Sequence, residues 1–446
     1  MAEIESKTVY PKPSLGFADS LSLMVGIIIG VGIFEATPAI AAQLSSLAAV
    51  AGVWILGGLL SLAGALCYAE LAAANPKDGG DYVYLTRAFG SWLGFLFAWG
   101  RVAVVQPGTI AAVAFPFAHF AIKTVELVFA WHIGEYAVVP VAAGSVLVLT
   151  LLNCLDVRVG IRVQNLFTVL KTVGLIVIAA VVLLASPTDT PAPTMEFSLH
   201  GFGLALILVM FTFGGWSDIA FVAAEVRDSV HCIPRAIVLA VASVAAIYLF
   251  ANFAFFWALG HGGVARSHAV AVDALARVLP NLAQAAVAAL IALSALGATN
   301  ALIFTGSRVA YALGCDFVVF RPLSRWSQAH GGPVISLFFS GLSSVCIIIL
   351  MGSFERIVVY TAPVVWLFYF LSMLALMVLR LKTAEAERPF SVPFYPVLPI
   401  GFAAACLYIA YAAIAYDFTG SAIALGILML GLPFYFFETW QSRNHV

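Results

Sequence analysis

Residues 26–34 read Gly-Ile-Ile-Ile-Gly-Val-Gly-Ile-Phe inside a long apolar stretch. Three glycines in seven positions weaken a helix, each by about 1 kcal/mol relative to alanine. At bilayer depth no water satisfies the freed backbone groups, so such a break survives only where it is buried in protein or lines a cavity. A second interruption, Gly214-Gly215, stands in another apolar stretch near the middle of the chain. Glycine-broken spans at corresponding places in two halves of a chain point to the binding site of a secondary transporter. The competing reading, small residues at contacts between packed helices, accounts for one such motif well and for a symmetry-related pair poorly.

The chain of 446 residues is 63% hydrophobic and only 10% charged, against about 25% charged in an average soluble domain. Its mean hydropathy is +1.05. Apolar runs of about 20 residues recur along its length, each able to cross about 30 Å of hydrocarbon. The ten-residue alternating segments of a β-barrel are absent. The expected fold class is an all-α membrane protein with twelve transmembrane spans. These run over 17–45, 50–73, 88–121, 135–153, 162–186, 200–224, 235–259, 281–313, 332–351, 357–380, 394–416 and 419–437. Connections are short, which leaves no room for a soluble domain. A net charge of −1 offers no general attraction to nucleic acid. The six cysteines stand singly, in neither CxxC nor Cys/His spacing, so they read as packing residues, with no disulfide framework, metal or cofactor expected. The polar N-terminal segment, 1–16, lacks the pattern of a removable signal peptide.

With the N-terminus in the cytoplasm, fifteen of the 21 Lys and Arg fall on cytoplasmic segments. Four, Lys123, Arg266, Arg277 and Arg356, fall outside, and Arg101 and Lys171 fall within spans. That asymmetry follows the positive-inside rule and places both termini in the cytoplasm. Spans one and six run in opposite directions, as an inverted repeat of five plus five helices requires. Repeat one is expected over 17–186 and repeat two over 200–380. Two further spans (394–437) and a cytoplasmic tail (438–446) complete the chain.

The break in span one has a definite chemistry. After Gly30-Val31-Gly32 a half-helix starts whose first N–H groups have no partner and whose dipole end is positive. A carboxylate suits that end. The half-helix before the break ends near Ile28 and leaves carbonyls free. Phe211 to Gly214 ends the first half of span six, with Gly215 following, and does the same. Free N–H groups opposite free C=O groups suit a zwitterion, and glycines let backbone approach the ligand closely.

The motifs carry a family resemblance. GIIIGVGIFEATP (26–38) resembles the first-helix signature of the amino acid–polyamine–organocation superfamily, in particular its L-type amino acid transporter branch. GALCYAELAAANPKDGGDYVYL (64–85) is similar to that branch's second helix and following loop, and VQNLFTVLK (163–171) to its fifth helix. FTFGGWSDIAF (211–221) resembles the sixth-helix motif, with Glu225 and Pro234-Arg235 as its tail. ALGATNALIFTGSR (295–308) resembles the eighth helix and RPFSVPFYPVLP (388–399) the loop before the eleventh. The resemblance implies a leucine-transporter-type fold and alternating access for an amino acid. By the same resemblance, the N–H groups of Val31 and Gly32 hold the carboxylate. The carbonyls of Ile28, Phe211 and Gly214 hold the amine, and the Phe211 ring is the outer gate.

Lys171, a cation near mid-bilayer, is a functional-site candidate by default. In the superfamily a lysine at this place stands where sodium-coupled relatives bind the ion. That implies a tether from span five to the broken span one, with Ser294 and Asn300 as polar neighbours. It also disfavours sodium coupling. Burial favours the neutral amine, so Lys171 is a candidate proton site as well as a candidate fixed cation.

Three residues depart from the family pattern. Val31 stands where a small residue is usual, Arg101 where helix three carries an acid, and Glu35 where apolar residues are usual. Glu35 shares a helix face with Val31. Three roles stay open for it: selecting a cationic side chain, pairing with Arg101, or lining an outer vestibule. Asp218 pairs with Lys171 or faces an inner vestibule. The stretch from Ala121 to Tyr136 lacks the cysteine through which animal L-type carriers link to a glycoprotein, so no such covalent partner is expected. The simplest reading is a bacterial inner-membrane carrier working alone, by exchange, uniport or proton-linked transport. A polyamine or amine carrier of the same fold is the alternative. A channel is a remote one. So is a membrane enzyme, for which none of the eight histidines makes a convincing catalytic dyad.

Overall fold

Hydrocarbon offers no hydrogen-bond partner, so a spanning backbone must satisfy itself along its own helix. The computed structural model describes residues 16–74, 80–155, 172–188, 198–217, 226, 228–327, 332–382 and 390–444. Lys171, Asp218 and Glu225 lie outside the described residues, as does most of the N-terminal segment. Among the described residues regular structure is helical, apart from isolated bridge positions at Val226 and between Ser327 and Gly332. Nine helices there are long and apolar enough to cross a membrane.

Span one is two helices, α1 (Phe17–Ile28) and α2 (Gly32–Gln43). Then follow α3 (Leu47–Ala74), the short α4 (Asp81–Phe89), and α5 (Ser91–Gly100). A π-helical turn (Arg101–Val105) joins α5 to α6 (Gln106–Phe129). Next come α7 (Val138–Leu155), α8 (Thr172–Val182) and α9 (Leu199–Thr212). α10 (Ser229–Ala265) is interrupted at Gly260, whose φ of 66° suits glycine. The six-residue α11 (Val270–Leu275) precedes α12 (Asn281–Asp316), α13 (Val334–Met351) and α14 (Phe354–Lys382). α15 (Val397–Tyr416), α16 (Phe418–Met429) and α17 (Gly431–Asn444) end the chain. α4 and α11, at nine and six residues, are shorter than a spanning pattern requires and lie, but for the end of α4, outside the spans expected from hydropathy. "α1 face" below denotes the side where α1 begins, and "α2 face" the side where α2 ends.

α9 is apolar all round, and ten of its fourteen residues are buried, as befits a central helix. It packs among α2, α3, α14 and α15. A Cβ placed on Gly57 of α3 would come within 2.2 Å of Val209 Cγ1, so that glycine permits α3 to close on α9. Outward-turned side chains such as Leu342, Ile349 and Leu350 are more than half exposed, consistent with a hydrocarbon surround.

Two buried carboxylates lock the α1 face. Glu70 of α3, 1% exposed, accepts from Arg380 Nε (2.6 Å), from Arg380 Nη2, and from the N–H of Val392 (2.6 Å). The guanidinium also lies over the Tyr395 ring, 3.6 Å from its centroid. Asp81 accepts from Tyr68 Oη and from Ser372 Oγ (2.6 Å). Both clusters tie α14 to the α3–α4 turn. Removing one partner of a buried pair leaves an uncompensated charge. Arg380→Met is therefore expected to destabilise the detergent-solubilised protein by about 3–5 kcal/mol, read as a fall in unfolding temperature. The double variant Glu70→Met/Arg380→Met should lose less than Arg380→Met alone.

Candidate functional site

The break in span one is three residues long. Ile29 N–H still bonds Val25 O (2.8 Å), whereas Gly30 N–H turns back onto Ile28 O (2.8 Å). Phe34 N–H bonding Val31 O (3.1 Å) is the first bond of α2. The N–H groups of Val31, Gly32 and Ile33 precede it, at the positive end of the α2 dipole. In span six, α9 ends at Thr212, and Gly214 N–H folds back onto Phe211 O (2.9 Å). Gly215 has φ of 101°, a conformation that favours glycine.

The two breaks face each other. A Cβ added to Gly32 would lie 3.7 Å from Thr212 Oγ1 and 3.8 Å from Phe211 Cε1. Toward the α2 face, the Phe211 ring meets Phe354 edge-on with centroids 5.6 Å apart. The seam is bridged by Tyr248 of α10, a residue the sequence reading missed. Its buried hydroxyl donates to Ile28 O (3.0 Å) and lies 3.3 Å from Thr212 O. Ile28 O thus has both lone pairs engaged, by Gly30 N–H and by Tyr248. Trp54 and Phe213 pack edge-on against the Tyr248 ring at 5.5 and 5.3 Å. One turn further along α10, Asn252 Oδ1 accepts from Thr37 Oγ1 (3.1 Å), and just past the interruption at Gly260 His261 Nε2 meets Ala41 O at 2.9 Å. α10 is therefore a splint along the broken span. The sequence signal for it was available: Tyr248 and Asn252 are polar groups four residues apart, on one face of an otherwise apolar helix.

A cavity of about 290 Å³ opens beside the first break. Its wall is apolar and includes Gly30, Val31 and Phe34, Gly174 and Ile178 of α8, and Ser294 of α12. The Ser294 hydroxyl is buried with no hydrogen-bond partner among the described residues. A smaller cavity, about 200 Å³, lies near the α2 face between Gln43, Leu204 and Arg356, away from the break.

The remaining candidates separate. Asn300 Oδ1 accepts from Asn153 Nδ2 (2.6 Å), tying α12 to α7. Arg101 opens the π-helical turn and packs with it against α14 and α16. Glu35 pairs with His119 (2.8 Å to Nδ1), not with Arg101. Arg101 lies eighteen residues before His119 on the same helical run, about 27 Å away. Among the described residues, His119 is one of three histidines that meet a carboxylate. The others, His231–Asp228 and His268–Glu135, are both exposed. Nothing in the sequence marks His119, because its partner lies 84 residues away in the chain.

A multispan helical protein whose first helix is interrupted at a buried, ligand-sized notch belongs to the class of membrane carriers. The amino acid permease family matches residues 15–432, and the chain belongs to that family. It is 30% identical over 443 residues to the human b(0,+)-type amino acid transporter 1, covering 97% of this chain and 89% of that one. It is 28% identical to the human Asc-type amino acid transporter 1, covering 98% and 84%. Against the mouse large neutral amino acids transporter small subunit 2 it is 30% identical, covering 97% and 82%. The family and these relatives are transporters, not enzymes.

Tyr248→Phe keeps the aromatic packing and removes the bridge between the ends of α1 and α9. A loss of about 1–3 kcal/mol is expected for the carbonyls left short of a donor. It would appear as a lower unfolding temperature without ligand.

Proposed function

We propose that the chain carries amino acids across a cell membrane by alternating access around the paired breaks. The observation that carries this reading is the seam itself. The N–H groups of Val31 and Gly32, which have no backbone acceptor among the described residues, lie within a side chain's reach of the end of α9, where a Cβ on Gly32 would sit in ordinary contact with Thr212 and Phe211. The carboxylate meets those amides, and the ammonium meets the carbonyls of Phe211 and Gly214, or that of Ile28 by taking the place of the Tyr248 hydroxyl. Phe211 closes over the ligand. The apolar cavity beside Gly30 and Val31 takes the substrate's side chain, which favours neutral, apolar amino acids. The relatives' names, all amino acid transporters, support the same reading.

In this reading the chain has the leucine-transporter fold, with twelve spans, the inverted five-plus-five repeat and both termini in the cytoplasm. Transport is sodium-independent, because by family resemblance the lysine at 171 matches the place where sodium-coupled relatives bind the ion, and no covalent glycoprotein partner is required. An amine carrier is less well supported: Glu35, which an amine lacking a carboxylate would need, is engaged by His119.

Thermal unfolding of the solubilised protein should shift upward with one or more of the twenty amino acids, in proportion to the logarithm of concentration over Kd. Their decarboxylated amines should give no shift; stabilisation by amines alone would overturn the reading. Gly32→Leu should abolish the ligand shift by filling the notch, with unchanged affinity placing the site elsewhere. Lys171→Ala should remove transport from proteoliposomes while the protein still folds.

A further inference from the structure

Glu35 stands in the first turn of α2, the turn whose N–H groups are proposed to hold the substrate carboxylate. Three residues along a helix rise about 4.5 Å, so Glu35 is rooted one turn from those N–H groups. Two carboxylates on one helix end repel each other. The Glu35 side chain is only 10% exposed and His119 22%, so water and salt screen the repulsion poorly. His119 is the group in contact with Glu35, at 2.8 Å, and Phe34 beside it packs edge-on against Phe120. The pair thus joins α2 to α6 directly above the break. Several charged groups surround it. Glu355 of α14 and Glu135 before α7 act on His119 electrostatically. His268, bonded to Glu135 at 3.1 Å, has its ring 6.5 Å from that of His119. One turn further along α6, Lys123 is paired with Asp273 of α11 at 3.2 Å.

We propose that Glu35 and His119 form a proton-binding site coupled to the carboxylate site at the start of α2. With a proton on the pair, the imidazolium and carboxylate cancel, and the helix end is free to receive the substrate's anion. Without it, Glu35 carries a net negative charge beside that anion. Coupling is reciprocal: the proton tightens substrate binding, and bound substrate draws a proton onto the pair. This deepens the amino acid reading and rests on it. It also places a proton site in spans one and three, apart from Lys171.

The test is L-leucine binding to the purified full chain by calorimetry between pH 5.5 and 8.5, in buffers of differing ionisation enthalpy. The expected result is a Kd about fivefold or more tighter at the acid end, with net proton uptake per leucine bound at intermediate pH. Glu35→Gln should bind leucine with a pH-independent Kd near the wild-type acid value. His119→Gln should be equally flat but near the wild-type alkaline value. A merely structural pair would instead weaken both variants alike. The amine 3-methylbutylamine, which lacks the carboxylate, should not bind more tightly on acidification. Leucine binding without pH dependence or proton uptake in the wild type would overturn the proton site alone, as would a pH slope that survives in both variants. If either variant fails to fold, wild-type proton uptake decides. No binding of leucine, alanine or arginine at any pH would overturn the amino acid reading itself.

Discussion

A peptide group inside a bilayer has only protein to bond to, and the interruption of span one is built around that constraint. Opening three residues between α1 and α2 exposes carbonyls on one side and N–H groups on the other. The carbonyl side is met by Gly30 folding back and by the Tyr248 hydroxyl. The N–H side is left at the mouth of a glycine notch. The Ile28 carbonyl is thus met within the protein, while the start of α2 is where the proposed reading seats the substrate carboxylate. Its depth depends on Gly32, and its width on how closely α9 lies against α2.

The two ends of the molecule use charge differently. At the α1 face Glu70 and Asp81 are buried and bonded by α14, giving fixed cross-links whose partners cannot exchange with water. At the α2 face the pairs are graded. Glu35–His119 is mostly enclosed, Lys123–Asp273 is about a third exposed, and His268–Glu135 is open to solvent. Buried pairs specify geometry more than they stabilise. Half-buried ones respond to what approaches them.

Much of this was legible in the sequence, for identifiable reasons. The positions of the nine long apolar helices follow from hydropathy, since every residue in hydrocarbon faces the same solvent rule. The break at 29–31 follows from glycine spacing, and the family from motifs spread in order along the chain. Partner choice was not legible. Glu35 was open to Arg101 on charge grounds, and only the length of α6 removes that pairing. Tyr248 and Ile28 are 220 residues apart, and their meeting depends on how α10 lies along α1 and α2, which hydropathy does not encode. The bond from Asn153 to Asn300, which joins α7 to α12, was likewise not legible, because its partners lie 147 residues apart. The short helices α4 and α11 were missed because each lies below the length at which a spanning pattern can be read.

The two halves of span one are anchored unequally. α2 is wedged among α6, α9, α10, α11 and α14, and Thr37 and Ala41 are stapled to α10 by side-chain bonds. Among the described residues α1 leans chiefly on α10, and the polar link described between them is the Tyr248 contact at its very end. The arrangement is that of a door: α2 is the jamb, residues 29–31 are the pin, and α1 is the leaf, with the Tyr248 hydroxyl as the latch seen among the described residues. In the proposed cycle, swinging that leaf would release the Tyr248 contact and slide α1 along α10, while the jamb would keep its grip on the seam.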